Sequence, residues 1–138
     1  MLYRIGTIYI PVSNVKDSAN WYTKILGAKQ NYLDDKKAIL DLANQSIFLV
    51  GAAKNQLANF LDNEGNEHFS YTFEVNGRKE LEELHSYLAN LGVYVSEIED
   101  RGHSGRNFIF SDLDGNKFDV WSELSPEFKK RYQLPNTI

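Results

Sequence analysis

Hydrophobic and polar positions along this chain follow one order twice. In residues 3–12, Ile8, Ile10 and Val12 fall on one side of an alternation and Thr7, Tyr9 and Pro11 on the other. That period of two predicts a strand with one apolar and one mixed face. Ser13 and Asn14 then offer capping side chains. Val15, Ala19, Tyr22, Ile25 and Leu26 recur at helical spacing, which predicts a helix over about 15–26 packed on the Ile8/Ile10 face, with Trp21-Tyr22 in the core. Gly27 stands where a helix commonly ends at positive φ. Strands are predicted at about 29–34, 37–42 and 46–51, with turns at Asp34-Asp35 and Ala43-Asn44. Residues 52–66 are polar and irregular, long enough to carry a helical turn or a lid.

The second pass is sharper. Phe69, Tyr71, Phe73 and Val75 alternate with His68, Ser70, Thr72 and Glu74, and Leu81, Leu84, Leu88 and Leu91 mark a helix over about 78–91. Gly92 follows, 65 residues after Gly27. Strands are expected near 93–98, 106–111 and 117–122, with Asp114-Gly115-Asn116 turning between the last two. Two copies at this spacing are too few and too long for a solenoid. They describe a duplicated βαβββ module, an arrangement that usually builds its functional cleft between the copies. One domain is expected over 1–124, with module one at about 1–52, a linker at about 53–66 and module two at about 67–124. Residues 125–138 read as a tail with one helical turn.

Composition narrows the function. A net charge of −4 over 138 residues, with no basic stripe, argues against nucleic-acid binding. The absence of cysteine excludes disulfides, thiolate metal sites and a cysteine nucleophile. No apolar run approaches a membrane span, and the start MLYRIGTIYI lacks the pattern of a signal peptide, so a cytoplasmic protein without membrane partners is the expectation.

Three segments carry a family resemblance. They are Trp21-Tyr22-x-x-Ile25-Leu26-Gly27, Phe73-Glu74-Val75-Asn76, and the run from Phe110 to Asp119 (FSDLDGNKFD). Together, in this order, they resemble the vicinal oxygen chelate superfamily, which includes glyoxalase I, bleomycin-resistance proteins, fosfomycin-resistance enzymes and extradiol dioxygenases. The likeness covers residues 3–122; Leu113 stands where the family usually has proline. It implies an α+β fold, two βαβββ modules forming a curved mixed sheet around a cleft, typically in a homodimer. In metal-dependent members the ligand positions fall on Thr7, near Phe48 or Leu49, on Ser70 and on Asp119. Only Asp119 is a competent ligand for a divalent ion, whereas a catalytic site generally needs about three. The resemblance therefore implies a member without cofactor, the alternative being a divalent metal.

The remaining chemistry is sparse. His68 shares a strand face with Ser70, His85 is expected on the outer face of its helix, and His103 lies in the glycine-bounded loop Arg101–Gly105. Glu74 and Asp119 are the candidates for general acid–base work, because a carboxylate in a partly apolar cleft can have a raised pKa. Asp119 has a structural alternative, a hydrogen bond to Thr7, Ser70 or a neighbouring strand. No Ser-His-Asp order or phosphate-binding glycine loop occurs. Strand parity places Thr7, Tyr9, Phe48, Ser70, Thr72, Asp119 and Trp121 on inner faces, a mixture of aromatic walls and hydroxyls typical of small-molecule pockets. Three functions are consistent with this: a metal-free protein binding a small organic ligand, a metal-dependent lyase, isomerase or dioxygenase, and an interaction subunit whose dimer face is its function. The vacant ligand positions favour the first.

Overall fold

The first strand and helix form where the alternation places them. In the computed structural model, which describes residues 1–135, β1 runs Thr7–Val12 and α1 runs Val15–Leu26. Asn14 caps α1 by accepting from the Asp17 N–H at 3.0 Å, and Gly27 ends it at φ 72°. Strands β2 (Lys29–Leu33), β3 (Lys37–Leu42) and β4 (Gln45–Gly51) follow. The sheet order is β1-β4-β3-β2, with β1 parallel to β4 and the other pairs antiparallel. Ile10, Val12, Ala38, Leu40, Ile47 and Leu49 form the buried face, together with Val15, Ala19 and Tyr22 of α1.

The β3–β4 hairpin is closed by Ala43 and Asn44, both at positive φ (52° and 61°). Asn tolerates that region, but alanine is poorly suited to it. Ala43→Gly is expected to raise the unfolding free energy by about 0.5–1 kcal/mol, read as a higher urea midpoint at unchanged slope.

The predicted linker is partly structured. β5 (Phe60–Leu61) and β6 (Glu67–His68) make a two-stranded ribbon, and the intervening turn is held by Asp62 Oδ1, which accepts from the Glu64 and Asn66 N–H groups at 2.9 Å each.

The chain groups into two compact units. The first holds Met1–Glu67 plus the turn Asp112–Asn116; the second holds His68–Ser111 and the described residues from Lys117. Hydrogen bonds explain why that turn groups with the first unit. Asp112 Oδ2 accepts from the Tyr22 hydroxyl at 2.6 Å, and Asp114 Oδ1 accepts from the Ser13 N–H at 3.0 Å. Asn116 donates to the Pro11 carbonyl at 2.9 Å and accepts from the Ala58 N–H at 2.8 Å, while Asn59 donates to the Gly115 carbonyl at 2.9 Å.

In the second unit β7 (Tyr71–Glu74), β8 (Asn107–Ser111) and β9 (Lys117–Trp121) form a sheet in the order β7-β9-β8, with β7 parallel to β9. The helix α2 spans Arg78–Asn90 and a last helix, α3, spans Pro126–Arg131. Leu81 and Leu88 are buried with Phe108, Phe110, Phe118 and Val120. Leu91, expected in that apolar stripe, is instead the C-cap and 49% exposed, because the chain leaves the helix there for Gly92 at φ 78°.

The strand expected near 93–98 is reduced to two isolated bridges, Val95↔Phe110 and Glu99↔Asn107. Side chains divert its ladder. The Ile109 N–H donates to the Ser96 hydroxyl at 2.8 Å, and the Ser96 carbonyl is taken by His85 Nε2 at 2.8 Å. This also corrects the outward placement of His85, which is half-buried with its ring edge-on to Phe108 at 5.0 Å.

Candidate functional site

Each unit leaves one sheet face free of its helix. In the first, Thr7 lies opposite Ser46 and Tyr9 opposite Phe48. The Tyr9 and Phe48 rings meet edge-on at 5.3 Å, and Tyr9 is 61% exposed. Tyr9 and Phe48 are thus brought together, with Thr7 two positions before Tyr9 on the same strand.

In the second unit the register sets Thr72 beside Asp119 and Ile109, and Glu74 beside Trp121 and Asn107. Ser70 precedes β7 and is exposed. Asp119 is buried at 2% exposure, and its partners come from the two neighbouring strands and from the loop before β8. Oδ2 accepts from Asn107 Nδ2 at 2.9 Å and from the Thr72 hydroxyl at 3.1 Å. Oδ1 stands 3.1 Å from Nη2 of Arg101, an ion-pair contact whose angle does not make a hydrogen bond. Arg101 in turn lies 3.5 Å from Glu99 and over the Phe69 ring at 5.6 Å. The anticipated structural role for Asp119 therefore has Thr72, Asn107 and Arg101 as its partners.

Glu74 is also engaged. Its two oxygens accept from the Ser125 N–H at 2.8 Å and from the Ser125 hydroxyl in a short contact, which ties β7 to the segment before α3. A carboxylate used this way is poorly placed to collect a proton from a substrate.

The segment Asp100–Arg106 folds against Trp121. The Trp121 indole N–H donates to the Ser104 carbonyl at 2.9 Å, and the exposed His103 ring stands edge-on to Trp121 at 6.1 Å. Within the segment, Asp100 accepts from the Gly102 N–H and pairs with Arg106 at 3.4 Å. These contacts hold the Asp100 carboxyl below its usual range, the Gly102 bond contributing most.

No sequence signal marks Arg101 or Asn107 as a site residue. Arg101 sits in a glycine-bounded loop that reads as a surface connection. Asn107 belongs to a strand whose facing is settled only once Phe108 and Phe110 are seen in the core.

The donor set does not fit a divalent metal. Thr7 and Ser70 offer neutral hydroxyls, Phe48 and Leu49 offer none, and Asp119 is already faced by a guanidinium. His68 Nδ1 contacts the Phe69 carbonyl at 2.6 Å, and among the described residues no group of three His, Asp or Glu side chains converges as a ligand set.

Comparison with known proteins agrees with the architecture. The FosX fosfomycin resistance protein from Listeria monocytogenes, in its complex with Mn(II) and sulfate ion, superposes with a TM-score of 0.73 at 20% identity, over 96% of this chain and 99% of that one. A lactoylglutathione lyase from Agrobacterium tumefaciens gives 0.66 at 14% identity, covering 86% and 92% of the two chains. A glyoxylase/bleomycin resistance protein/dioxygenase domain from Frankia sp. EAN1pec gives 0.66 at 22%, covering 88% and 98%. At these identities the likeness establishes the fold, α+β with βαβββ-type modules and mixed sheets. No curated protein sequence matches the chain. Among the described residues no helix is long and apolar enough to cross a membrane. The family model matches residues 4–120, so the chain belongs to the Glyoxalase/Bleomycin resistance protein/Dioxygenase superfamily.

Proposed function

We propose that this chain binds a small organic ligand on the open sheet faces of its glyoxalase-type fold and does so without a metal ion. The observation that supports this most is the state of Asp119. It is the one acidic side chain at a family ligand position, and it is buried, bonded to Asn107 and Thr72, and balanced by Arg101. Placing a divalent cation there would mean expelling a guanidinium from a largely dry site, with no second anionic ligand to compensate. Ser70, Thr72, Asp119 and Trp121 are the ligand-facing residues of the second unit in this reading. Thr7, Tyr9 and Phe48 form the aromatic face of the first. A homodimer in the cytoplasm, typical of the fold, belongs to the same proposal.

Protein purified without chelator is expected to carry far less than one transition-metal ion per chain by elemental analysis. Its thermal midpoint should not move in about 1 mM Mn(II), since an ion that bound only the folded state would raise it. One equivalent of metal that disappears in Asp119→Ala would overturn the reading and restore the metal-dependent lyase, isomerase or dioxygenase.

A further inference from the structure

We infer that the β9 face of the second unit recognises an organic ammonium group, and that Arg101 is the resident cation such a ligand displaces. This rests on the ligand-binding reading above and adds the sign of the ligand's charge.

The inference starts from buried acceptors that lack a donor. Asn107 and Asp119 are 3% and 2% exposed. The Asn107 amide gives its Nδ2 to Asp119 Oδ2, which leaves Asn107 Oδ1 and Asp119 Oδ1 buried without a hydrogen bond. Glu123 Oε2 is a third such atom in the same unit. Turning the Asn107 amide over would set its oxygen against Asp119 Oδ2, so the network fixes its orientation. Folded proteins leave few buried acceptors unmatched, and those that remain call for an explanation.

All three open atoms are acceptors, so the missing group is a donor. An anion has none to offer, whereas an ammonium brings three N–H groups and a charge. Charge in the surrounding cluster has the right sign: Asp119, Glu99, Asp100 and Glu123 against Arg101, Arg106 and Arg78, the last acting on Asp100. Trp121 lies directly opposite Asn107 in the β8–β9 register, and its indole is held by Ser104. An aromatic face beside the acceptors favours a cation joined to an apolar body.

Arg101 supplies charge to Asp119 without supplying the hydrogen bond. Its side chain is 25% exposed and keeps a second partner in Glu99. Swinging toward solvent, the guanidinium retains Glu99 and uncovers Asp119 Oδ1. An incoming ammonium then donates to that oxygen and to Asn107 Oδ1. Arg101 is therefore a competitor of the ligand.

The test uses three indole probes of similar size: tryptamine (cationic), tryptophol (neutral) and indole-3-propionate (anionic). Binding is followed on the ¹⁵N-labelled 138-residue chain through the Asn107 side-chain amide and the Trp121 indole N–H. Tryptamine is expected to shift both resonances saturably, tryptophol only weakly and indole-3-propionate not at all. Arg101→Gln should tighten tryptamine about tenfold by removing the competing charge. Equal shifts from the anion would overturn the charge assignment while leaving a ligand-binding protein. An unmoved Asn107 amide with every probe would overturn it in favour of a buried water at the open acceptors, as would weaker tryptamine binding in Arg101→Gln. If that variant does not fold, the wild-type comparison of the three probes decides alone. Metal content is measured separately, so failure of the metal-free reading is seen independently of these shifts.

Discussion

Replacing Asp112 by alanine is expected to lower the unfolding free energy by about 3–4 kcal/mol, although this residue touches no candidate ligand-binding side chain. Asp112 is 7% exposed and accepts from five donors: the N–H groups of Asp114, Gly115 and Asn116, the Asn116 side-chain amide and the Tyr22 hydroxyl. Alanine removes this acceptor from all five; the Gly115 N–H keeps the Asp112 backbone carbonyl at 3.2 Å and the Asn116 amide keeps the Pro11 carbonyl at 2.9 Å, so the loss at the buried donors costs the most. Tyr22 is fully buried and Asn116 has no exposure at all. Tyr22→Phe, which removes one donor and leaves the rest, should cost about 1–2 kcal/mol. Urea unfolding checks both, and a loss below about 1 kcal/mol for Asp112→Ala would show that the turn is held by packing instead.

The same carboxyl gives a pH dependence of defined sign. Burial pushes the Asp112 pKa above its ordinary value of 3.8, and the hydrogen bonds from Tyr22 and Asn116 only partly offset this. Its folded-state pKa thus lies above the unfolded one. The associated stability is complete below about pH 3.8 and is lost as the pH rises through the shifted value. The hydrogen bonds to Asp112 also leave the Tyr22 hydroxyl with a raised pKa, burial again being the largest cause. In this pair the Tyr22 hydroxyl is the donor and the Asp112 carboxyl the acceptor.

How far the sequence reached depends on the range of the interactions involved. The strand alternation of Thr7–Val12, the Asn14 cap and the left-handed Gly27 are local, and each could be read from neighbouring residues. The fold followed, because two such passes with the Asp-Gly-Asn turn leave little choice of architecture. The missing strand near 93–98 was not legible. Its ladder is intercepted by His85, eleven residues upstream, and by the hydroxyl of Ser96. Strand parity also drew Thr7, Tyr9 and Phe48 onto one face and Thr72 and Asp119 onto another, but parity has no term for what comes from a loop. Arg101 reaches Asp119 across 18 positions of sequence, from a segment whose glycines suggest only flexibility. The turn Asp112–Asn116 is the reverse case. It was recognised as a motif, while its partners Tyr22, Ser13, Pro11 and Ala58 lie tens of residues away and gave no sign of the pairing.

Gly105→Ala is expected to have the second large effect, and to place it on the loop that carries Arg101. Gly105 sits at φ 79°, where an alanine pays about 1–2 kcal/mol in backbone strain. Its Cβ would also stand 2.7 Å from Trp121 Nε1, 2.8 Å from Ser122 Oγ and 2.9 Å from Glu123 Oε2, closer than real Cβ contacts come. Trp121 and Ser122 can yield only by giving up bonds: Trp121 donates to the Ser104 carbonyl, and Ser122 Oγ accepts from the Arg106 N–H at 2.8 Å. The loop must therefore lift, and Arg101 with it, leaving Asp119 buried without its counter-charge. A total cost of about 3 kcal/mol follows from strain plus these losses. Gly102 provides the internal control. It has a similar φ of 86°, but nothing lies within 4 Å of its Cβ position, so Gly102→Ala pays the backbone strain alone. Hydrogen exchange at the Arg106 amide and the Trp121 indole should accelerate strongly in Gly105→Ala and little in Gly102→Ala. Equal acceleration in the two variants would mean that backbone strain, and not the close approach to Trp121 and Ser122, is what holds this loop to the sheet.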